Sequence, residues 1–373
     1  MGERVLVTGG AGFIGRHLAR ALLARGHAVR VLDSLIEQVH GGTDTPAVLG
    51  GEVEFLAGDV RDETMLRRAL RGVDSVVHLA AEVGVGQSMY AVDRYVGVND
   101  LGTAMLFQQL IAAPVRRVVV ASSMSIYGEG LYRDAEGAVI EDAVRPLRAA
   151  DAVGGWDPTD RNGRPLLPVP TPEWKRPALA SVYAITKYVQ ERLTLTLTAA
   201  YGMEGVALRL WNAFGPGQAL SNPYTGVLAI FAARLLNGQR PMVFEDGRQR
   251  RDFVDVEDVA AAFVLALEHP AAAGGVFNIG SGEQRSVSEV AVSLARAMGR
   301  PDLTPEITGQ ARAGDIRHCV PDLTRAREVL GYAPRRDFGV GLSELVEWVA
   351  RQRAAEDRVQ LARRELEMRG LVA

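Results

Sequence analysis

The run Thr8-Gly9-Gly10-Ala11-Gly12-Phe13-Ile14-Gly15 follows an apolar stretch, Arg4 to Thr8, and opens one of helical spacing, Phe13 to Arg25. Glycines in such a turn let backbone approach a pyrophosphate, whose charge exposed amides and the positive helix end then hold. With 40 glycines in the chain, the pattern carries weight only through its place between strand and helix. Further apolar runs at Ala28 to Asp33, Val53 to Ala57, Ser75 to Leu79, Arg117 to Ser122 and Gly205 to Leu210 read as strands. They alternate with helical stretches at Asp62 to Leu70, Val98 to Ile111 and Ser181 to Tyr201. This alternation predicts an α/β fold, a doubly wound parallel sheet with helices on both faces.

At 373 residues the chain exceeds what one hydrophobic core usually serves. A dinucleotide-binding domain is expected over 1–212, with 252–268 returning to it, then a smaller domain over 213–350 and a helical extension over 351–373. A further strand is expected at Val276 to Ile279, and Leu342 to Leu371 reads as a charged helix. Between Gly128 and Pro177 no period is convincing, so 129–177 reads as an insertion, a functional loop or a disordered one. Apolar content of 47%, charged content of 23% and a net charge of −3 give no reason to expect nucleic acid or an anionic membrane as partner. One cysteine, Cys319, excludes an intrachain disulfide framework, and six histidines without ligand spacing predict no metal. No apolar run approaches membrane-spanning length, strand-like sequence begins by Arg4, and a cytoplasmic location is expected.

Asp33 closes the second strand 18 residues after Gly15, where a carboxylate can accept from a ribose diol and would repel a 2′-phosphate. The expected cofactor is therefore NAD, with Ser34 beside that carboxylate. Asp59-Val60, after the third strand, would lie near the adenine or form an exposed turn. Ala121-Ser122-Ser123 ends the strongly apolar fifth strand, so its hydroxyls should emerge at the carboxyl edge of the sheet. Tyr183 and Lys187 lie four apart on one helix face, and Lys187 is one of only two lysines, with Lys175, among 42 basic residues. Arginine is a planar fork that stays protonated, whereas a lysine ammonium can fit beneath a ribose and depress a neighbouring phenol. Ser123, Tyr183 and Lys187 together can move a hydride: a base must take the proton of an alcohol being oxidised. Positive charge from Lys187 and an oxidised nicotinamide would favour the tyrosinate that does so.

The chain resembles the extended short-chain dehydrogenase/reductase family, in its NAD-dependent nucleotide-sugar epimerase/dehydratase branch. The motifs that carry this are the glycine turn, His78-Leu79-Ala80-Ala81, Asn99, Ser122-Ser123-Met124-Ser125-Ile126-Tyr127-Gly128, the Tyr/Lys pair, Arg209 to Pro216, Arg251-Asp252-Phe253-Val254 and Asn278 to Gly282. The resemblance implies a Rossmann-type sheet with a smaller C-terminal substrate-binding domain and a catalytic set of Ser123, Tyr183 and Lys187. It implies NAD contacts at Gly9, Gly12, Phe13, Ile14, Gly15, Asp33, Ser34, Asp59, Val60, Leu79, Ala80, Ala81, Asn99, Ser122, Tyr183 and Lys187. Contacts to a nucleotide-diphosphate sugar are implied at Ser123, Met124, Tyr183, Asn212, Arg251 and Arg317. A homodimer through helices including the one bearing Tyr183 is implied as well.

Dehydratases of the family carry an Asp-Glu pair where this chain has Met124 and Ser125, neither of which shuttles protons at neutral pH. The expectation is therefore a redox-neutral 4-epimerase, with a 4,6-dehydratase, a net oxidoreductase and a non-catalytic nucleotide-binding protein as alternatives. The insertion, with Gly84 to Met89 and Gly128 to Arg133, is similar to a subgroup of bacterial epimerases that includes those acting on dTDP-L-rhamnose. A deoxysugar or related substrate is expected, and the insertion is expected to cover the sugar pocket or to decorate the surface.

Overall fold

Seven parallel strands form the centre of the computed structural model, which describes residues 2–41, 49–145, 155–220, 222, 224, 226–352 and 359–372. They are β1 (Arg4–Thr8), β2 (Ala28–Asp33), β3 (Glu54–Ala57), β4 (Ser75–His78), β5 (Arg117–Ser123), β6 (Glu204–Leu210) and β7 (Val276–Ile279), in the order β7-β6-β5-β4-β1-β2-β3. Both faces are covered, which is why the strands read as near-continuous Val and Leu runs. Alternate residues point to opposite faces. Val5 and Val7 therefore pack with helix α1 (Phe13–Ala24), while Leu6 between them packs on the other side with α2 (Glu63–Ala69) and α3 (Gly102–Ala112). Helix α4 (Val182–Ala200) lies against β5 and β6, and α5 (Val256–Glu268) against α1.

Besides α5, which falls in the range 252–268, the large sheet takes the strand β7 from within 213–350. Its own core gathers Phe214, Phe231, Phe253, Leu294, Phe338 and Leu345 beside a three-stranded sheet of Asn212–Phe214, Arg250–Asp255 and Gln284–Ser286. The insertion has more order than its sequence suggests. Leu131–Arg133, Val139–Ile140 and Leu167–Val169 make an antiparallel three-stranded sheet, from strands too short to show a period. Residues 146–154 of the insertion lie outside the described residues. The single helix expected from Leu342 to Leu371 is two, Phe338–Ala350 and Val359–Met368, with 353–358 outside the described residues. No described helix is long and apolar enough to cross a membrane.

Candidate active site

Strand order reverses between β1 and β4, and open parallel sheets bind ligands beyond the carboxyl ends of their strands at such a point. A cavity of about 900 Å³ occupies that place. At one end stand Ser123, from the last position of β5, and Tyr183 and Lys187, from the first turns of α4. The Ser181 hydroxyl starts α4 by accepting the Ala184 N–H at 3.1 Å, and Ser88 accepts the Tyr183 N–H at 3.0 Å. Edge-on contact with the buried ring of Tyr95, 6.4 Å between centroids, fixes the Tyr183 ring. Tyr183 keeps part of its surface open to the cleft. Burial nonetheless pushes its phenol up to about 12, while hydrogen bonding with Ser123 pulls it down.

Lys187 is 3% exposed and donates from Nζ to Gln190 Oε1 at 2.7 Å. Desolvation lowers its pKa to about 7, partly opposed by the Glu191 carboxylate. The polypeptide alone thus keeps Tyr183 a phenol, and a second positive charge at the ring is needed to favour the phenolate. Gln190 also donates to Thr103 Oγ1 at 2.9 Å, next to a buried His78 that meets Thr8 Oγ1 at 2.7 Å. Desolvation drops His78 to about 3, so it is neutral and holds the strand ends together.

The other end of the cavity is lined by Gly9, Gly12, Phe13, Ile14, Gly15, Asp33, Ser34, Asp59, Val60, Leu79, Ala80 and Ala81. Gly9 has φ +69°, and a Cβ there would lie 2.7 Å from the Ala80 nitrogen, so only glycine allows this turn to lie against the end of β4. A Cβ on Gly15 would meet the Gly10 backbone at 2.5 Å, which explains the close entry of α1. No side chain caps α1, so its positive end faces the cavity. Asp33 is held by N–H donors from Ala11 at 3.0 Å and Leu35 at 2.9 Å.

The model of the NAD-dependent epimerase/dehydratase family matches residues 5–148 and 167–280. The chain belongs to that family. A dTDP-L-rhamnose 4-epimerase of Burkholderia thailandensis is 35% identical, covering 94% of this chain and 96% of that protein. The UDP-glucose 4-epimerase of Thermotoga maritima, solved with UDP-glucose, has a TM-score of 0.75 and 30% identity, covering 93% of this chain and 98% of that one. That of Thermus thermophilus, solved with NAD, has a TM-score of 0.72 and 32% identity, covering 94% and 100%. The gap in the family match, 149–166, falls within the insertion.

NAD is the cofactor of this epimerase/dehydratase family, and the cavity suits it. The glycine turn and uncapped α1 would take the pyrophosphate, the Asp33 carboxylate the adenosine ribose, and Tyr183 with Lys187 the nicotinamide side. Ser122 lines the cavity, but its hydroxyl is committed to Glu191 Oε2 at 2.6 Å, in a buried pair with Arg209. Asp59 lines it too, in a two-pronged pair with Arg61 at 2.9 and 2.7 Å. Met124 and Asn212 line the cavity as well.

Three expected contacts are not among the described lining residues. Asn99 is fully buried, accepting the Glu82 N–H at 2.7 Å and donating to Glu82 O at 3.1 Å and Thr186 Oγ1 at 2.9 Å, so it braces the wall. Arg251 donates to the carbonyls of Arg250 and Arg317, each at 2.9 Å, and of Ile316. Arg317 is 1% exposed and bonded to Asp157 at 2.7 Å, Glu245 at 2.9 Å and Asp246 at 2.6 Å. Three carboxylates occupy its fork, and through Asp157 it ties the insertion to the C-terminal region. No described residue of the insertion lines the cavity.

Sequence reading does not single out Arg94, which lines the wall and pairs with Glu82 at 2.7 Å and Gln38 at 2.9 Å. Nor did it mark Gln38 bridging to Asn222 at 3.1 Å, 184 positions away. Ser125, seen only as a missing acid, also lines the cavity.

Proposed function

We propose that this protein is an NAD-dependent nucleotide-sugar 4-epimerase that inverts C4 of a nucleotide-diphosphate hexose through a transient 4-keto sugar. The observation that carries the proposal is the meeting of Ser123, Tyr183 and Lys187 at one end of the cavity with Met124 and Ser125 beside them. That is one base and one hydroxyl partner, with no acid at the two positions after Ser123. Tyr183 Oη takes the proton of the C4 hydroxyl and later returns it, and Ser123 donates to the same oxygen. Lys187 supplies positive charge beneath both. Bound NAD supplies the hydride acceptor and, once the keto sugar has turned its other face, the donor.

The relatedness to a dTDP-L-rhamnose 4-epimerase favours a dTDP-6-deoxy-L-hexose, with UDP-glucose and UDP-glucuronate as the alternatives. Incubation with each, followed by NMR of the sugar without added cofactor, is the test. A C4 epimer from one of them supports the reading. A 4-keto-6-deoxy product or stoichiometric NADH overturns it in favour of a dehydratase or a net oxidoreductase.

We also propose a homodimer through the adjoining helices 92–101 and α4, whose Val92, Val96, Leu101 and Ile185 are each more than 40% exposed. Apolar side chains clustered on one surface favour burial against a partner. Light scattering should give twice the chain mass, falling to one chain mass in Ile185→Arg.

A further inference from the structure

Ser125 stands two residues past Ser123, in the one-turn helix Met124–Tyr127, 6% exposed and lining the cavity. A serine hydroxyl has one proton to give and two lone pairs with which to accept. Ser123 Oγ accepts the Ser125 backbone N–H at 3.2 Å and the Ser125 hydroxyl at 2.9 Å. An N–H can only donate, so the first contact has a fixed sense, and with the Ser125 hydroxyl donating, the second fills the remaining lone pair. The Ser123 proton is left to point toward Tyr183 and any substrate oxygen beside it.

We propose that Ser125 is a positioning residue that makes Ser123 an obligate hydrogen-bond donor, so that Ser123 stabilises negative charge on Tyr183 and on the reacting sugar oxygen and cannot itself act as the base. This rests on the active-site reading above and adds the direction of its hydrogen bonds. Without the Ser125 hydroxyl, Ser123 can turn and accept from the Tyr183 O–H. That contact stabilises the neutral phenol and weakens the base.

The test follows the Tyr183 phenolate by near-ultraviolet difference absorbance in NAD-saturated protein, each variant being compared with its own Tyr183→Phe partner. In Ser125→Ala the titration midpoint should rise by about one pH unit, and any turnover at neutral pH should fall about tenfold. Ser125→Thr, which restores the hydroxyl, should return both toward wild type. If Ser125→Ala does not fold, Ser125→Cys, with a weaker donor in the same place, should show a smaller rise in the same direction. A wild-type midpoint in the alanine variant, or in the cysteine variant standing in for it, overturns the proposal. So does a threonine variant that titrates like alanine. The titration needs no sugar, so failure to epimerise any substrate would remove the proposed function and leave this measurement readable.

Discussion

In the proposed reaction Tyr183 and Lys187 divide a single task, and each can be probed alone. Tyr183→Phe should lower turnover by about 10²- to 10⁴-fold while nucleotide-sugar binding, followed by calorimetry, changes little. Lys187 carries a cost. The unfolded chain holds this proton to about 10.5 and the folded chain releases it near 7, so between those values the unfolded state binds more protons and stability rises with pH. Lys187→Met should therefore be more stable than wild type at pH 6, by an amount on the order of a few kcal/mol, and the gap should close toward pH 10. Thermal melts across that range check it; a gap that widens with pH contradicts the assignment. This pair was readable because four residues along a helix is a local relation. The ion pairs of Arg317 were not, because its partner Asp157 lies 160 positions away and nothing local marks the contact.

The elements around the cavity depend on a few buried braces. Asn99 sits in a widened turn, Val96–Leu101, ahead of α3, and fixes the segment that follows β4 to α4. Asn99→Ala strands the Glu82 N–H and should cost about 1–3 kcal/mol in urea unfolding, with weaker NAD binding by titration. The apolar strands announced themselves, with β1, β2 and the edge strand β7 bounded as expected, because burial on both faces leaves a largely apolar run. The helix expected from Val98 was harder to bound. Its widened first turn breaks the 3.6-residue period, which is where Asn99 stands. The two- and three-residue strands of the insertion lie below any periodic signal.

Across the whole molecule, the insertion is bound to the C-terminal region by charge. Arg145 pairs with Glu245, Arg317 with Glu245, Asp246 and Asp157, and Glu129 accepts the backbone N–H groups of Arg317 and His318. Arg317→Ala leaves Glu245 to Arg145 alone and strips the guanidinium from Asp157 and Asp246, each about a third exposed, and should destabilise by about 1–3 kcal/mol, with KM for the nucleotide sugar unchanged in the protein that remains folded. An arginine that gripped the diphosphate would give the reverse, intact stability and a raised KM. Both lysines are inward-facing as well: Lys175 is 2% exposed, donating to Tyr127 O at 2.9 Å and Arg176 O at 3.3 Å, and Lys187 sits at the cavity floor. Amine-directed dyes and crosslinkers thus meet no lysine on the outer surface of the folded protein. Acylation of Lys175 would report unfolding, and acylation of Lys187 would report access to the nicotinamide end.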